Sequence, residues 1–330
     1  MKVVITGGTG FIGRMLAKRI LELGQLTGPS GTSAEGDEIL LFDAVPPGAP
    51  LPGLDERARV ETGDISDRDL VFGLIDRDDI SVFHLASVVS GGGELDFDLA
   101  LRVNLVGGLN VFEAARARES TPRVVFASSV AVFGGSSMPK CVGDTTKQTP
   151  QTTYGATKAI CELLINDYTR KGFIDGRSAR LPTVVVRPGK PNLAASSFAS
   201  GVIREPLNGE TCVLPVKPET VMPILGYRNI VEGFVRLHEA TPAGLGDDRA
   251  VNFPSLSVTV AEMMAGLRRV AGNRHLGEIV EQPDPRIEAI VATWPTELDS
   301  SRALALGLPV DTGIDPIIEA YIEDFVDAPA

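Results

Sequence analysis

Tyr154 and Lys158 stand four residues apart in Tyr154-Gly155-Ala156-Thr157-Lys158, a spacing that puts a phenol and an ammonium on one face of any helix they share. A free phenol ionises near ~10, too high for a base at neutral pH, but a cation one turn away favours the phenolate. Such a pair can take a proton from a hydroxyl group. The spacing also arises on helices by accident, so it needs partners. Ser129 follows Ser128 at the end of the apolar run Arg123 to Ser128, where its hydroxyl can polarise the oxygen of the same substrate group. Asn104, in Asn104-Leu105-Val106-Gly107-Gly108-Leu109-Asn110, is expected to support the lysine or the loop beside it, with a structural amide that kinks a helix as the alternative.

Removing a proton from a hydroxyl is half of an oxidation, and the N-terminus supplies the other half. Gly7-Gly8-Thr9-Gly10-Phe11-Ile12-Gly13 lies between an apolar strand pattern and an amphipathic helix pattern, the context in which a glycine-rich turn binds a dinucleotide. Gly7 and Gly10 permit the tight turn, and the N–H groups near Phe11 and Ile12 open the helix toward a diphosphate. Gly13 allows close helix–strand packing. Asp43 ends the run Leu40-Leu41-Phe42, where a carboxylate accepts ribose hydroxyls and repels a 2′-phosphate, favouring NAD over NADP. Its separation from Gly13 exceeds the usual ~20 residues, and a Gly/Ser-rich insertion from Gln25 to Asp37 accounts for the excess. Asp64 is placed to bond the adenine amino group and Ile65 to lie against its ring. Leu85, Ala86 and Ser87 follow another strand pattern, where small residues let the backbone approach the cofactor. His84 reads as a satisfied core residue.

These residues need a scaffold that gathers strand ends along one edge. Short apolar runs at Val3 to Thr6, Glu38 to Asp43, Ala58 to Thr62, Ser81 to Leu85, Arg123 to Ser128 and Thr183 to Arg187 alternate with helical periods. The helices fall near Phe11 to Leu23, Asp67 to Asp76, Leu95 to Ala117 and Thr153 to Lys171. The alternation predicts an α/β fold, a doubly wound parallel sheet with a smaller C-terminal substrate-binding lobe. The expected division is residues 1–187 for the dinucleotide domain and 188–330 mainly for the lobe, with some later segments returning to the sheet. Helices are expected near Ser197 to Leu207, Ile230 to Glu239, Val260 to Ala271 and Ile314 to Phe325. The insertion from Gln25 to Asp37 reads as a mobile surface loop.

The formal net charge of −12, from 43 acids and 31 bases, argues against a nucleic-acid partner, which requires a basic face. Cys141, Cys161 and Cys212 are odd in number and widely spaced, so no disulfide framework or zinc motif is indicated, and a cytoplasmic location is expected. Three scattered histidines disfavour a metal site. No signal-peptide pattern or membrane-spanning run is expected.

Taken together, these motifs resemble the extended short-chain dehydrogenase/reductase superfamily, also called the NAD-dependent epimerase/dehydratase family, over nearly the whole chain. The resemblance is carried by Thr6 to Gly13, Gly63-Asp64-Ile65, His84-Leu85-Ala86, Ser128-Ser129 with Val132-Phe133-Gly134, Tyr154 with Lys158, and Arg187-Pro188-Gly189. It implies that Ser129, Tyr154 and Lys158 are catalytic and that Pro188 and the residues after it approach the nicotinamide. It also implies a homodimer formed through the helices near Leu95 to Ala117 and Thr153 to Lys171.

The second half resembles a subgroup that oxidises short sugar acids. Its carriers are Arg187 to Asn192, Ala194 to Phe198, Ile203 to Leu207, Leu214-Pro215-Val216, Leu256 to Val260 and Leu306-Gly307. Lys190 and Phe133 depart from the pattern of sugar-nucleotide epimerases. The expected reaction is oxidation of the C2 hydroxyl of D-erythronate or a similar short sugar acid to the 2-keto acid. A substrate carboxylate would meet Ser196 and Ser197 at a helix N-terminus, with Arg204 and Arg228 as clamps. Ser87, Ser129, Tyr154 and Asn192 complete the expected substrate set. A nucleotide-sugar 4-epimerase is the alternative, because it begins with the same step, and a non-catalytic NAD-sensing protein is the third reading.

Overall fold

Val3, Val4 and Ile5 have no apolar partner in sequence beyond their own run, yet all three are fully buried, as a strand covered on both faces requires. They belong to the middle of a seven-stranded parallel sheet in the computed structural model, which describes residues 1–48 and 51–327. In chain order its strands are β1 (Lys2–Thr6), β2 (Glu38–Asp43), β3 (Ala58–Thr62), β4 (Ile80–His84), β5 (Arg123–Ser129), β6 (Asp175–Leu181) and β7 (Ala250–Asn252). In space they run β7-β6-β5-β4-β1-β2-β3. The order reverses beside β1, between β2 and β4, and such a switch point opens a crevice at the carboxyl ends of the strands.

Helix α1 (Phe11–Leu23) packs with α6 (Tyr227–Glu239) on one face. On the other lie α2 (Arg68–Leu74), α3 (Gly107–Arg116) and α4 (Thr153–Arg170). The C-terminal lobe has its own apolar core around α5 (Ser197–Leu207), α7 (Val260–Ala271) and α8 (Ile314–Tyr321). A three-stranded sheet of Thr183–Val185, Val221–Gly226 and Leu256–Thr259 adjoins them. The chain passes back and forth between the two parts. After the lobe begins, α6 packs on α1, and β7 pairs with β6, so residue 187 is not a clean boundary.

Three expectations require correction. The sixth strand of the main sheet is Asp175–Leu181, not Thr183 to Arg187, whose strand portion Thr183–Val185 belongs to the lobe sheet. The sequence of β6, Asp-Gly-Arg-Ser-Ala-Arg-Leu, conceals it because Arg177 and Arg180 are buried and paired with Asp175 and Glu162. The insertion from Gln25 to Asp37 is an antiparallel hairpin of Gln25–Thr27 and Ser33–Glu35. It is tied to α6 where Glu239 accepts from Thr27 N at 3.0 Å and from Thr27 Oγ1 at 2.5 Å. The helix expected from Leu95 to Ala117 runs unbroken from Phe97 to Arg116 but is not α-helical throughout, because Leu101–Val106 form a π-helical turn between Phe97–Ala100 and α3. Asn104 sits buried in that turn, and π turns inside helices recur at functional sites.

Candidate functional site

A cavity of about 370 Å³ runs along the carboxyl edge of the sheet and into the lobe. Gly7, Gly10, Phe11, Ile12 and Gly13 line one end of it, Ser129 and Tyr154 the middle, and Asn192, Ser196, Ser197 and Arg204 the lobe side. No ordinary residue replaces the turn glycines. Gly7 has φ +68°, and a Cβ on it would stand 2.9 Å from Ala86 N. A Cβ on Gly13 would stand 2.4 Å from Gly7 O. Gly10 caps α1 without a side-chain hydrogen bond, so the first N–H groups of the helix stay available to an anion. The backbone cradle and its exposed donors fit a dinucleotide diphosphate.

Asp43 lies at the end of β2 beside this turn. Its Oδ2 accepts from Thr9 Oγ1 at 2.8 Å and Thr9 N at 3.2 Å, so it braces the glycine turn. Asp64 accepts from Ser66 and pairs with Arg102 at 2.5 Å, which hold its carboxyl below the ordinary range. Ile65 departs from expectation: its side chain is turned into the core, where Gly107 leaves room for it. Leu85 lines the cavity, while Ala86 N donates to Thr6 Oγ1 at 3.2 Å. Ser87 donates to Asn104 Oδ1 at 3.1 Å.

Asn104 acts on that loop rather than on the lysine. Its Oδ1 accepts from Val88 N at 2.7 Å, and its Nδ2 donates to Val88 O at 3.1 Å and toward Thr157 Oγ1 at 3.4 Å. One amide therefore ties the loop after β4 to α4.

Helix α4 begins at Thr152, whose hydroxyl accepts from Gly155 N at 3.1 Å, a standard N-cap. Gly155 is required there, because a Cβ would lie 2.1 Å from Ala131 O. Its absence lets the helix start press against the turn after Ser129, bringing Tyr154 and Ser129 to the same cavity. Burial raises the Tyr154 phenol above its ordinary value, and a hydrogen bond from Ser129 works in the opposite direction. Lys158 is buried, with Nζ donating to Ala127 O at 2.7 Å. That nitrogen lies 4.7 Å from the Phe126 ring centroid and 5.4 Å from that of Tyr154. Burial pushes its pKa down to about 8, against the pull of Cys161 and Glu162.

His84 is satisfied on one side only. Its Nδ1 meets Thr6 Oγ1 at 2.7 Å while Nε2 is buried without a partner. Burial, assisted by the Lys158 charge, pushes its pKa down to about 3, so it is neutral in the folded protein.

On the lobe side, Ser197 Oγ accepts from Asn192 N at 3.2 Å. Arg204 is buried, donating to Arg187 O at 2.7 Å and to Glu205 at 2.5 Å. Arg228 is a correction. It is exposed at the start of α6, paired with Glu323 at 2.9 Å and Asp324 at 2.6 Å, and it does not line the cavity. Its place at the start of α6 directs it toward the C-terminal helix, a direction that sequence spacing does not reveal. Pro188 is also absent from the cavity wall, whereas Arg187 forms part of it. Ser90, Thr183, Ser200 and Trp294 also line it. None of these four belongs to a chemical motif, and only the fold brings them in.

The NAD dependent epimerase/dehydratase family matches residues 3–251. The chain belongs to that family. This member is 49% identical over 325 residues to a D-erythronate dehydrogenase of Cupriavidus necator, covering 98% of each chain. It is 41% identical to a D-erythronate dehydrogenase of Haemophilus influenzae, covering 98% of this chain and 99% of the other. Among solved structures it superposes on the nucleoside-diphosphate-sugar epimerase from Agrobacterium tumefaciens with a TM-score of 0.89 at 37% identity. That match covers 99% of this chain and 94% of that one. No helix among the described residues is long and apolar enough to cross a membrane.

Proposed function

We propose that this family member is an NAD-dependent dehydrogenase that oxidises the C2 hydroxyl of D-erythronate or a similar short sugar acid to the 2-keto acid. The observation that carries the reading is the shared cavity, in which a dinucleotide cradle, a Ser129/Tyr154 pair and a polar lobe wall converge. The near full-length similarity to two D-erythronate dehydrogenases supports the choice of substrate.

Gly7 to Gly13 would hold the diphosphate of NAD and Asp43 its adenosine ribose, and the bound cofactor would supply the acceptor for the hydride of the carbinol carbon. Tyr154 Oη takes the hydroxyl proton, and Ser129 Oγ holds the substrate oxygen in line for it. Lys158, fixed by Ala127 O, places positive charge behind the phenol ring and favours the phenolate. Asn192, Ser196, Ser197 and Arg204 form the wall against which the sugar acid is oriented.

The helices near Phe97 and α4 carry exposed apolar residues, among them Leu95, Phe97, Val106, Leu109, Ile160 and Leu163. These support a homodimer built on that face. The free thiols of Cys141, Cys161 and Cys212 suit a cytoplasmic enzyme.

The structural similarity to a protein described as a nucleoside-diphosphate-sugar epimerase favours 4-epimerisation as the second reading. NADH formation, followed by absorbance with a panel of aldonates, separates the two. Turnover with D-erythronate and none with UDP-sugars is expected. Interconversion of UDP-sugars without net NADH would overturn the dehydrogenase reading, and NAD binding without either activity would leave only a sensor.

A further inference from the structure

Three arginines from three separate segments meet at the seam between the glycine turn and the lobe. Arg14 follows Gly13 in α1, Arg187 follows the Thr183–Val185 strand, and Arg204 lies in α5. Arg187 and Arg204 line the same cavity as Gly10, Phe11 and Ile12. Arg204 is already committed to Glu205 and to the carbonyl of Arg187. Arg187 is not: its side chain donates only from Nη1 to Lys190 O, at 2.6 Å, and among the described residues no carboxylate pairs with it. Arg14 has no acidic partner among those residues either, and its Nε is buried without a hydrogen-bond acceptor.

Of the three guanidinium groups, only Arg204 is paired with a carboxylate, Glu205, among the described residues. Burial, then the charges of Arg204 and Arg14, hold Arg187 below its ordinary pKa. Like charges in a half-buried wall repel one another, and a negative ligand would relieve that repulsion. The local excess stands out in a chain of net charge −12, whose overall field repels anions rather than gathering them. Arg187 is also pre-positioned, since its N–H donates to Ser200 Oγ at 2.9 Å while its carbonyl accepts from Arg204 at 2.7 Å. Both sides of its backbone are therefore held by α5.

We infer that Arg187 is an anion-binding residue of the cavity, its guanidinium fork taking anionic oxygens of the cofactor diphosphate or of the substrate carboxylate. Arg204 holds the backbone from which it projects, and Arg14 adds charge from α1. A planar fork matches both oxyanions. The carboxylate source rests on the proposed function, whereas the diphosphate source rests only on the glycine cradle.

The test uses the full chain with Arg187→Gln and Arg187→Lys. NADH binding is read from the fluorescence of Trp294, the chain's single tryptophan and a cavity residue. KM is measured with D-erythronate. Loss of a charge-assisted fork is expected to weaken one of the two by roughly tenfold or more, with Arg187→Lys recovering part of the loss. A weaker NADH affinity at unchanged KM identifies the diphosphate, and a raised KM at unchanged NADH affinity identifies the carboxylate. Values of both within about twofold of the parent protein would overturn the inference. Should Arg187→Gln fail to fold, Arg187→Lys keeps the charge but loses the fork, and its NADH affinity and KM decide by the same criterion. If no sugar acid turns over, the proposed function fails, and the inference then stands or falls on NADH binding alone.

Discussion

At Tyr154, burial works against the chemistry proposed for it. The phenol is raised above its ordinary pKa, so proton abstraction depends on neighbours that favour the phenolate. Ser129 is one such neighbour, and Lys158, with Nζ 5.4 Å from the ring centroid, is the cation proposed as the other. Tyr154→Phe is expected to lower turnover by at least ~100-fold while NADH affinity stays within about twofold, because the cradle lies elsewhere along the cavity. Full turnover in that variant would remove Tyr154 as the base. The same group sets the pH dependence. A base must be deprotonated to act, so the rate of hydroxyl oxidation should rise with pH. Removing the cation with Lys158→Met should move that rise upward by about one unit or more, measured as kcat against pH. A profile that does not move would separate Lys158 from the phenol.

At the scale of elements, α4 is placed by a buried hub one turn beyond Lys158. Glu162 accepts from Ser128 and Gln148, and from Arg180 Nε at 3.0 Å and Nη2 at 2.7 Å. It thereby joins α4 to the end of β5, where Ser129 follows, and to β6. Glu162→Gln leaves the Arg180 charge buried without its counterion. The expected cost is about 3 kcal/mol, seen as a shift in denaturant midpoint. A fall in kcat larger than the change in KM is also expected, because Ser129 and Tyr154 lose their shared support. This hub explains why β6 was not legible. Its strand reads as polar loop until Glu162 is known to face Arg180 and Asp175 to face Arg177. Helices α1, α5 and α7, by contrast, have the ends that apolar period and caps indicate, since those signals are local.

Across the whole molecule, acid stability should depend on buried histidines and the carboxylate that ties down the hairpin. His84 has a folded pKa of about 3 against an ordinary 6.5, so between those values the unfolded chain binds a proton that the folded one refuses. Its contribution falls by ~1.4 kcal/mol for each pH unit below 6.5. His238 is shifted down as well, by burial. Glu239 is held at about 2, where hydrogen bonds from His238 and Thr27 outweigh its burial. Its contribution is present above pH 4.5 and lost as the pH falls toward 2, and solvent exposure moderates its size. Urea unfolding at pH 7 and pH 5 should show the loss, and His84→Gln should flatten it. An unchanged slope would show that His84 does not control it. The apolar face of α4 gives a second test at this scale. Leu163, 64% exposed, should disrupt the proposed dimer when changed to Glu, converting the sedimentation profile to monomer without unfolding the chain.

The sequence by itself determined the glycine-rich turn before α1, the helix that carries Tyr154 and Lys158 on one face, and the alternation that produces a parallel sheet. Each depends on neighbours a few residues apart or on the period of one element. Tertiary structure alone decided which arginine faces the cavity. Arg187 and Arg204 line it while Arg228 pairs with Glu323 and Asp324. It also decided that Ser90 and Trp294 belong to the same wall, that Asn104 serves the loop after β4, and that β6 is a central strand. Those outcomes depend on charges and shapes brought together from distant parts of the chain, and no local pattern of residue types carries that information.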